Sequence, residues 1–186
     1  MNNAAKLLKP EECALLVIDI QEKLIPYIFE RDRVVRNTKL LIKLAKILNL
    51  PIILTTQYTK GLGQTIEDIV SEIPEVEPVD KLEFGCFGNQ GFCSAVENLP
   101  ERKTLLASGI ESHICVTQTV LGALNQGYNV HVPSDAVSSR AESNWKVGLH
   151  RMEQAGAVIS STEMIIYELL YQSGSANFKA MLPYLK

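Results

Sequence analysis

Apolar residues fall along this chain in two rhythms. Short, near-continuous runs at Cys13 to Ile18, Ile52 to Thr56 and Thr104 to Ser108 have the length and composition of strands buried on both faces of a parallel sheet. Between them the apolar positions recur at helical spacing. Val34, Val35, Leu40, Leu41, Leu44, Ala45 and Leu48 mark one face of a helix over Arg31 to Leu48, with Lys and Arg outward. Asn49 ends that helix and Pro51 prevents its continuation. The same reading predicts a short helix from Gln64 or Thr65 through Ile73, and others over Gln90 to Leu99 and Ile114 to Asn125. Tyr128 to Val132 is a further strand, Ser143 caps a helix through Ala155, Ala157 to Ser160 is a last strand, and Thr162 to Leu170 a last helix. Gly109 breaks the strand before it, and residues 1–12, 57–65 and 133–141 read as loops. Alternation of this kind predicts a three-layer α/β/α fold: a mostly parallel sheet of about six strands, helices on both faces, and right-handed crossovers.

Composition narrows the function. With 186 residues, 46% of them hydrophobic, the chain can bury a core as one domain. The net charge of −3, without a basic stripe, argues against a nucleic-acid partner. No apolar run approaches the ~18 residues of a membrane span and the N-terminus lacks a secretory apolar region, so the expected location is cytoplasmic, away from membranes. The four cysteines form no CxxC pair and are expected as free thiols; His113, His131 and His150 lack the spacing of a zinc site. Asp19 is followed by IQEKLIP, so the first strand opens no GxGxxG turn, and a P-loop is absent too.

Three residues then stand out as candidate chemistry. Cys115 falls near the first turn of the predicted Ile114 to Asn125 helix, where the macrodipole and unpaired backbone N–H groups favour a thiolate. The alternative is a small buried core residue. Asp19 directly follows a buried strand, as a cap for the turn or at the carboxyl edge where open α/β sheets place their chemistry. Lys81 follows a brief β-prone piece and reads locally as a surface charge, while His131 reads as a core histidine.

Taken together, LVIDIQ (16–21), KLEFGCF (81–87) and GIESHICV (109–116) resemble motifs of the isochorismatase-like cysteine hydrolases. The resemblance implies their fold and a catalytic triad of Asp19, Lys81 and Cys115. It further implies an oxyanion hole from the N–H groups of Glu111 and Cys115, with the Ile110–Glu111 peptide cis. Asp19 would accept the thiol proton, pass it to the leaving group and then activate water against a thioester. Metal-dependent members carry histidine ligands after the second strand, whereas TTQYTKG (55–61) has none, so neither metal nor cofactor is expected. Retention of Cys115 points to a small amide, carbamoyl or related C–N substrate. The expected partner is that small molecule, in a homo-oligomer (dimer, tetramer or larger). By position, Gln21, Tyr58, Phe84, Phe87 and His113 are candidate pocket residues. Two rival readings stay open: a redox-sensing thiol protein built on Cys115 and Cys86, and a catalytically idle interaction protein on the same fold.

Overall fold

The computed structural model describes residues 6–99 and 101–185. Strand β1 (Cys13–Ile18) leads into helix α1 (Arg31–Leu48), then β2 (Ile52–Gln57), two one-turn helices α2 (Thr59–Leu62) and α3 (Glu67–Val70), β3 (Val79–Lys81) and α4 (Gln90–Glu97). The second half runs β4 (Thr104–Ile110), α5 (Thr117–Asn125), β5 (Asn129–Pro133), β6 (Val137–Ser138), α6 (Glu142–Gln154), β7 (Val158–Ser160), α7 (Thr162–Leu170) and α8 (Ala176–Met181). The seven strands form one sheet in the order β3-β2-β1-β4-β5-β7, with the two-residue β6 pairing β4 beyond the end of β5. Its strand pairings are parallel.

Strand alternation splits the core in two. Leu15 and Val17 of β1 and Leu106 and Ile110 of β4 pack with α1, α7 and α8; Ala14, Leu16, Ile18, Leu105 and Ala107 face α4, α5 and α6. Both faces of the central strands are therefore dry, which is why β1 reads as CALLVI and not as an alternating pattern. The chain steps outward from β1 to β2 to β3, then returns to β4 on the other side of β1. The carboxyl ends of β1 and β4 consequently flank a topological switch point, the crevice where open α/β sheets bind ligands.

Several expectations need correction. Gly109 does not end its strand, because β4 runs on to Ile110. The glycine is required for another reason: its φ is +121°, and a Cβ there would sit 2.1 Å from the Ile18 carbonyl oxygen of β1. The helix expected from Ile114 begins as a π-helical turn, Ser112–Val116, and becomes α-helical only at Thr117. The loop 133–141 contains β6, and α8 lies in a tail to which the sequence reading assigned no element. Among the described residues no helix is long and apolar enough to cross a membrane.

Candidate active site

Asp19, Lys81 and Cys115 come together at the carboxyl rim of the sheet. Asp19 follows β1 with φ +52°, a left-handed conformation that Asp tolerates better than most residues and that turns the chain sharply after the strand. Its carboxylate is fully buried. One oxygen, Oδ2, accepts a 2.7 Å bond from Lys81 Nζ, and the other, Oδ1, a 2.7 Å bond from Thr55 Oγ1. Lys81, the last residue of β3, is equally buried; its Nζ also donates to Gln57 Oε1 at 2.9 Å and to the Phe84 carbonyl at 3.3 Å. The ammonium thus has three acceptors, as an ion taken from water requires. Far from being a solvated surface charge, Lys81 is one half of an ion pair built into the floor of the rim.

The thiol of Cys115 lies close enough to this pair to feel both charges, Asp19 and Lys81. It is a protonated thiol at rest, contrary to the thiolate expected from its helix position. Burial is the main cause that pushes its pKa up; the Asp19 charge adds to it, and the Lys81 cation offsets only part. A helix N-terminus contributes about 0.3–1 kcal/mol, under one pKa unit, and cannot outweigh desolvation of a sulfur anion. A proton acceptor near the thiol is therefore needed for nucleophilic work, and Asp19 is the carboxylate whose charge the thiol feels.

The turn carrying Cys115 is held from one side. The Ile110–Glu111 peptide is cis. Glu111 O accepts the N–H groups of Ile114 (3.0 Å) and Val116 (3.2 Å), and Thr117 Oγ1 donates to Ser112 O at 2.6 Å. Just past β6, Ser139 Oγ lies 2.6 Å from Ser112 Oγ and 2.9 Å from His113 Nδ1, and Arg140 clasps the Glu111 carboxylate through its backbone N–H (2.9 Å), Nε and Nη2 (2.7 Å). The guanidinium holds the Glu111 carboxyl below the usual carboxylate range against the opposing effect of burial. Gly148 of α6 lets that helix close on the turn, since a Cβ there would stand 3.0 Å from Ser112 and His113 backbone atoms.

The expected pocket residues divide. Tyr58 (47% exposed) and Phe84 (56%) stand at the rim beside Lys81, and His113 is half-buried with its ring tied to Ser139. Gln21 and Phe87 are corrections. Gln21 is buried, with Nε2 donating to the carbonyls of Gln57 (3.0 Å) and Gly63 (2.8 Å) and Oε1 accepting from Gln57 N (2.7 Å), so no polar atom is left for a ligand. Phe87 turns inward against Phe92 and Tyr128. Conversely, the sequence reading overlooked Thr55 and Gln57, which hold the two charges in place. Their signal was polarity at the end of β2, three consecutive non-apolar residues on a strand otherwise built for the core. Among the described residues no three His, Cys, Asp or Glu side chains gather as metal ligands would.

A groove of about 670 Å³ lies elsewhere, along α1 between Ile25, Lys43 and Tyr184. It holds no nucleophile beside a base, so the buried ion pair and thiol mark the more convincing reaction centre.

Comparison with known proteins agrees with this fold. The isochorismatase domain family matches residues 13–164. The secreted isochorismatase effector Isc1 of Phytophthora sojae is 38% identical over 180 residues, covering 95% of this chain and 86% of the effector. YcaC from Pseudomonas aeruginosa, whose structure holds hexane-2,5-diol and covalent acrylamide, is 26% identical with a TM-score of 0.89 over 97% of this chain and 92% of that one. The Escherichia coli YcaC gene product, an octameric hydrolase of unknown specificity, is 27% identical with a TM-score of 0.88 over 96% and 90%.

Proposed function

Since the chain belongs to the isochorismatase family, we propose that it is a cysteine hydrolase of a small amide, carbamoyl or related C–N carbonyl compound. The observation that carries the reading is a buried thiol within the field of a buried carboxylate that a buried ammonium holds at 2.7 Å.

The steps follow from the residues. Cys115 Sγ attacks the carbonyl carbon while its proton passes to Asp19, so the sulfur never exists as a free buried anion. Charge moves onto the substrate oxygen, where the N–H groups of Glu111 and Cys115 receive it; the clasp of Ser139 and Arg140 on residues 111–113 keeps those donors aimed. Asp19 then protonates the leaving nitrogen, the C–N bond breaks, and a thioester remains on Cys115. Water attacks the thioester carbon and gives its proton to Asp19; the C–S bond breaks, the acid is released, and that proton returns from Asp19 to the Cys115 sulfur. Lys81 Nζ, bonded to Oδ2, holds the Asp19 carboxyl in place through these proton transfers. No step draws on a metal or cofactor. Exposed Met164 and Tyr167 on α7, with Tyr171 just past its end, offer an apolar face for self-association, which supports a homo-oligomer as in the octameric E. coli relative.

The test is turnover on a panel of small primary amides and carbamoyl compounds, with intact-mass detection of an acyl adduct. Wild type should release ammonia or amine and carry the adduct; Cys115→Ala should do neither while remaining folded. Turnover that persists in Cys115→Ala would overturn the mechanism. Complete inertness of the wild type across the panel, with no adduct, would favour an idle member of the fold.

A further inference from the structure

The mechanism leaves one reactive group of the site unused. Cys86 begins the short helical turn Cys86–Gly88 after β3 and is fully buried. Its backbone N–H donates to Thr119 Oγ1 at 3.0 Å, and Thr119 lies four residues beyond Cys115. The neighbouring residues seat the turn on the same helix: a Cβ on Gly85 would stand 3.0 Å from Gln118 Cβ, and one on Gly122 would stand 2.9 Å from Phe87 Cβ. The Asp19 carboxylate, bonded by Thr55 Oγ1, acts on both thiols, its charge raising the pKa of Cys86 and of Cys115. Both cysteines therefore lie in the field of one carboxylate and in one packed cluster. Other cysteines lie differently: Cys13 is in the cluster on the opposite face of the sheet, and the thiol of Cys93 points to the Phe87 carbonyl.

We infer that Cys86 is the internal resolving thiol of an oxidation site at Cys115, so that peroxide converts the pair reversibly into a Cys86–Cys115 disulfide. Hydrogen peroxide oxidises the Cys115 sulfur by two electrons to a sulfenic acid and is itself reduced to water. Cys86 sulfur then attacks Cys115 sulfur; hydroxide leaves, takes the Cys86 proton and departs as a second water. A dithiol restores both thiols. Being buried, Cys86 is shielded from peroxide itself and meets only an oxidised neighbour. Its thiol, pushed up to about 11 by burial, is protonated until that moment. The disulfide would block the nucleophile and spare it from irreversible sulfinic acid.

The inference rests on Cys115 being open to small electrophiles, as the proposed function also requires. The experiment uses the full chain carrying Cys93→Ser, because Cys86 and Cys93 share one tryptic peptide, residues 82–102. The protein is treated with hydrogen peroxide, mapped without reduction, and assayed for both dimedone adducts and linked peptides. The expected product joins peptide 82–102 to the Cys115 peptide, is two hydrogens lighter than their sum, and disappears with dithiothreitol. Cys86→Ala should abolish the link and leave Cys115 trapped by dimedone or over-oxidised beyond recovery. A dimedone-reactive Cys115 beside a persistently free Cys86 overturns the inference and leaves the hydrolase reading intact. A Cys115 that neither peroxide nor an acrylamide probe modifies overturns both.

Discussion

Removing one partner of the Asp19–Lys81 pair should be far more damaging than removing both. The pair is fully buried, 2.7 Å long and hydrogen-bonded further by Thr55 and Gln57. Lys81→Met leaves a carboxylate in the interior with only the Thr55 hydroxyl to stabilise it, and Asp19→Asn leaves an ammonium against neutral oxygens. Each single change should cost about 3–5 kcal/mol, the usual cost of an orphaned buried charge. At about 2–4 °C per kcal/mol for a chain of this size, that is a fall in Tm of roughly 6–20 °C. The double variant has no orphaned charge, only the Gln57 and Phe84 oxygens without their Lys81 donor, and should lose about 1–3 kcal/mol. Urea unfolding of all four proteins closes a double-mutant cycle whose coupling should exceed ~2 kcal/mol. Singles costing under about 1 kcal/mol each, and adding linearly, would be the behaviour of a solvated pair and would refute the burial argument.

Other outcomes follow from single positions. Gly109→Ala drives a Cβ onto the Ile18 backbone at a positive φ, and should cost at least about 3 kcal/mol, read as insoluble protein or a Tm fall of ~6 °C or more. Buried His131 has no partner for Nδ1, and desolvation, only partly opposed by Glu168, lowers its pKa. The unfolded chain then binds more protons, so stability is fully present above about pH 6.5 and is lost as pH falls below it. His131→Leu should flatten that acid limb in pH-dependent thermal melts, and an unchanged slope would contradict the assignment. Arg140→Met frees the Glu111 carboxylate and loosens the turn bearing the oxyanion donors. Turnover number on the best amide of the panel should fall about 10- to 100-fold with little change in KM, whereas an effect on KM alone would place Arg140 in ground-state binding.

How much of this was legible in the sequence depends on whether a local signal existed. β1 and α1 have the bounds their apolar patterns imply, because a two-sided buried strand and an 18-residue amphipathic helix carry strong, unambiguous periodicities. Gly109 misled because glycine has two uses; here it admits a neighbouring strand's backbone and does not stop its own. β6 was hidden because two residues in a polar loop have no period, and they pair only because β4 outlasts β5. At the site, motif order alone placed Asp19, Lys81 and Cys115. Local pattern gave Lys81 no sign of burial, since its acceptors come from the residue after β1, from β2 and from its own following loop. The protonation state of Cys115 was misread for a related reason: the helix end is visible locally, while desolvation and the Asp19 charge depend on the fold.

Competition between cysteines tests the central claim most directly. Acrylamide places developing charge on an amide oxygen when a thiol adds to it, so the proposed acid–base and oxyanion groups should assist its reaction with Cys115. Cys93 is the least buried cysteine and would react first if access alone decided. Peptide mapping over a time course should show Cys115 modified ahead of Cys93, with that preference lost in Asp19→Asn. Modification of Cys93 first, with Cys115 untouched and no effect of Asp19→Asn, would contradict a nucleophile assembled by the carboxylate, the ammonium and the thiol.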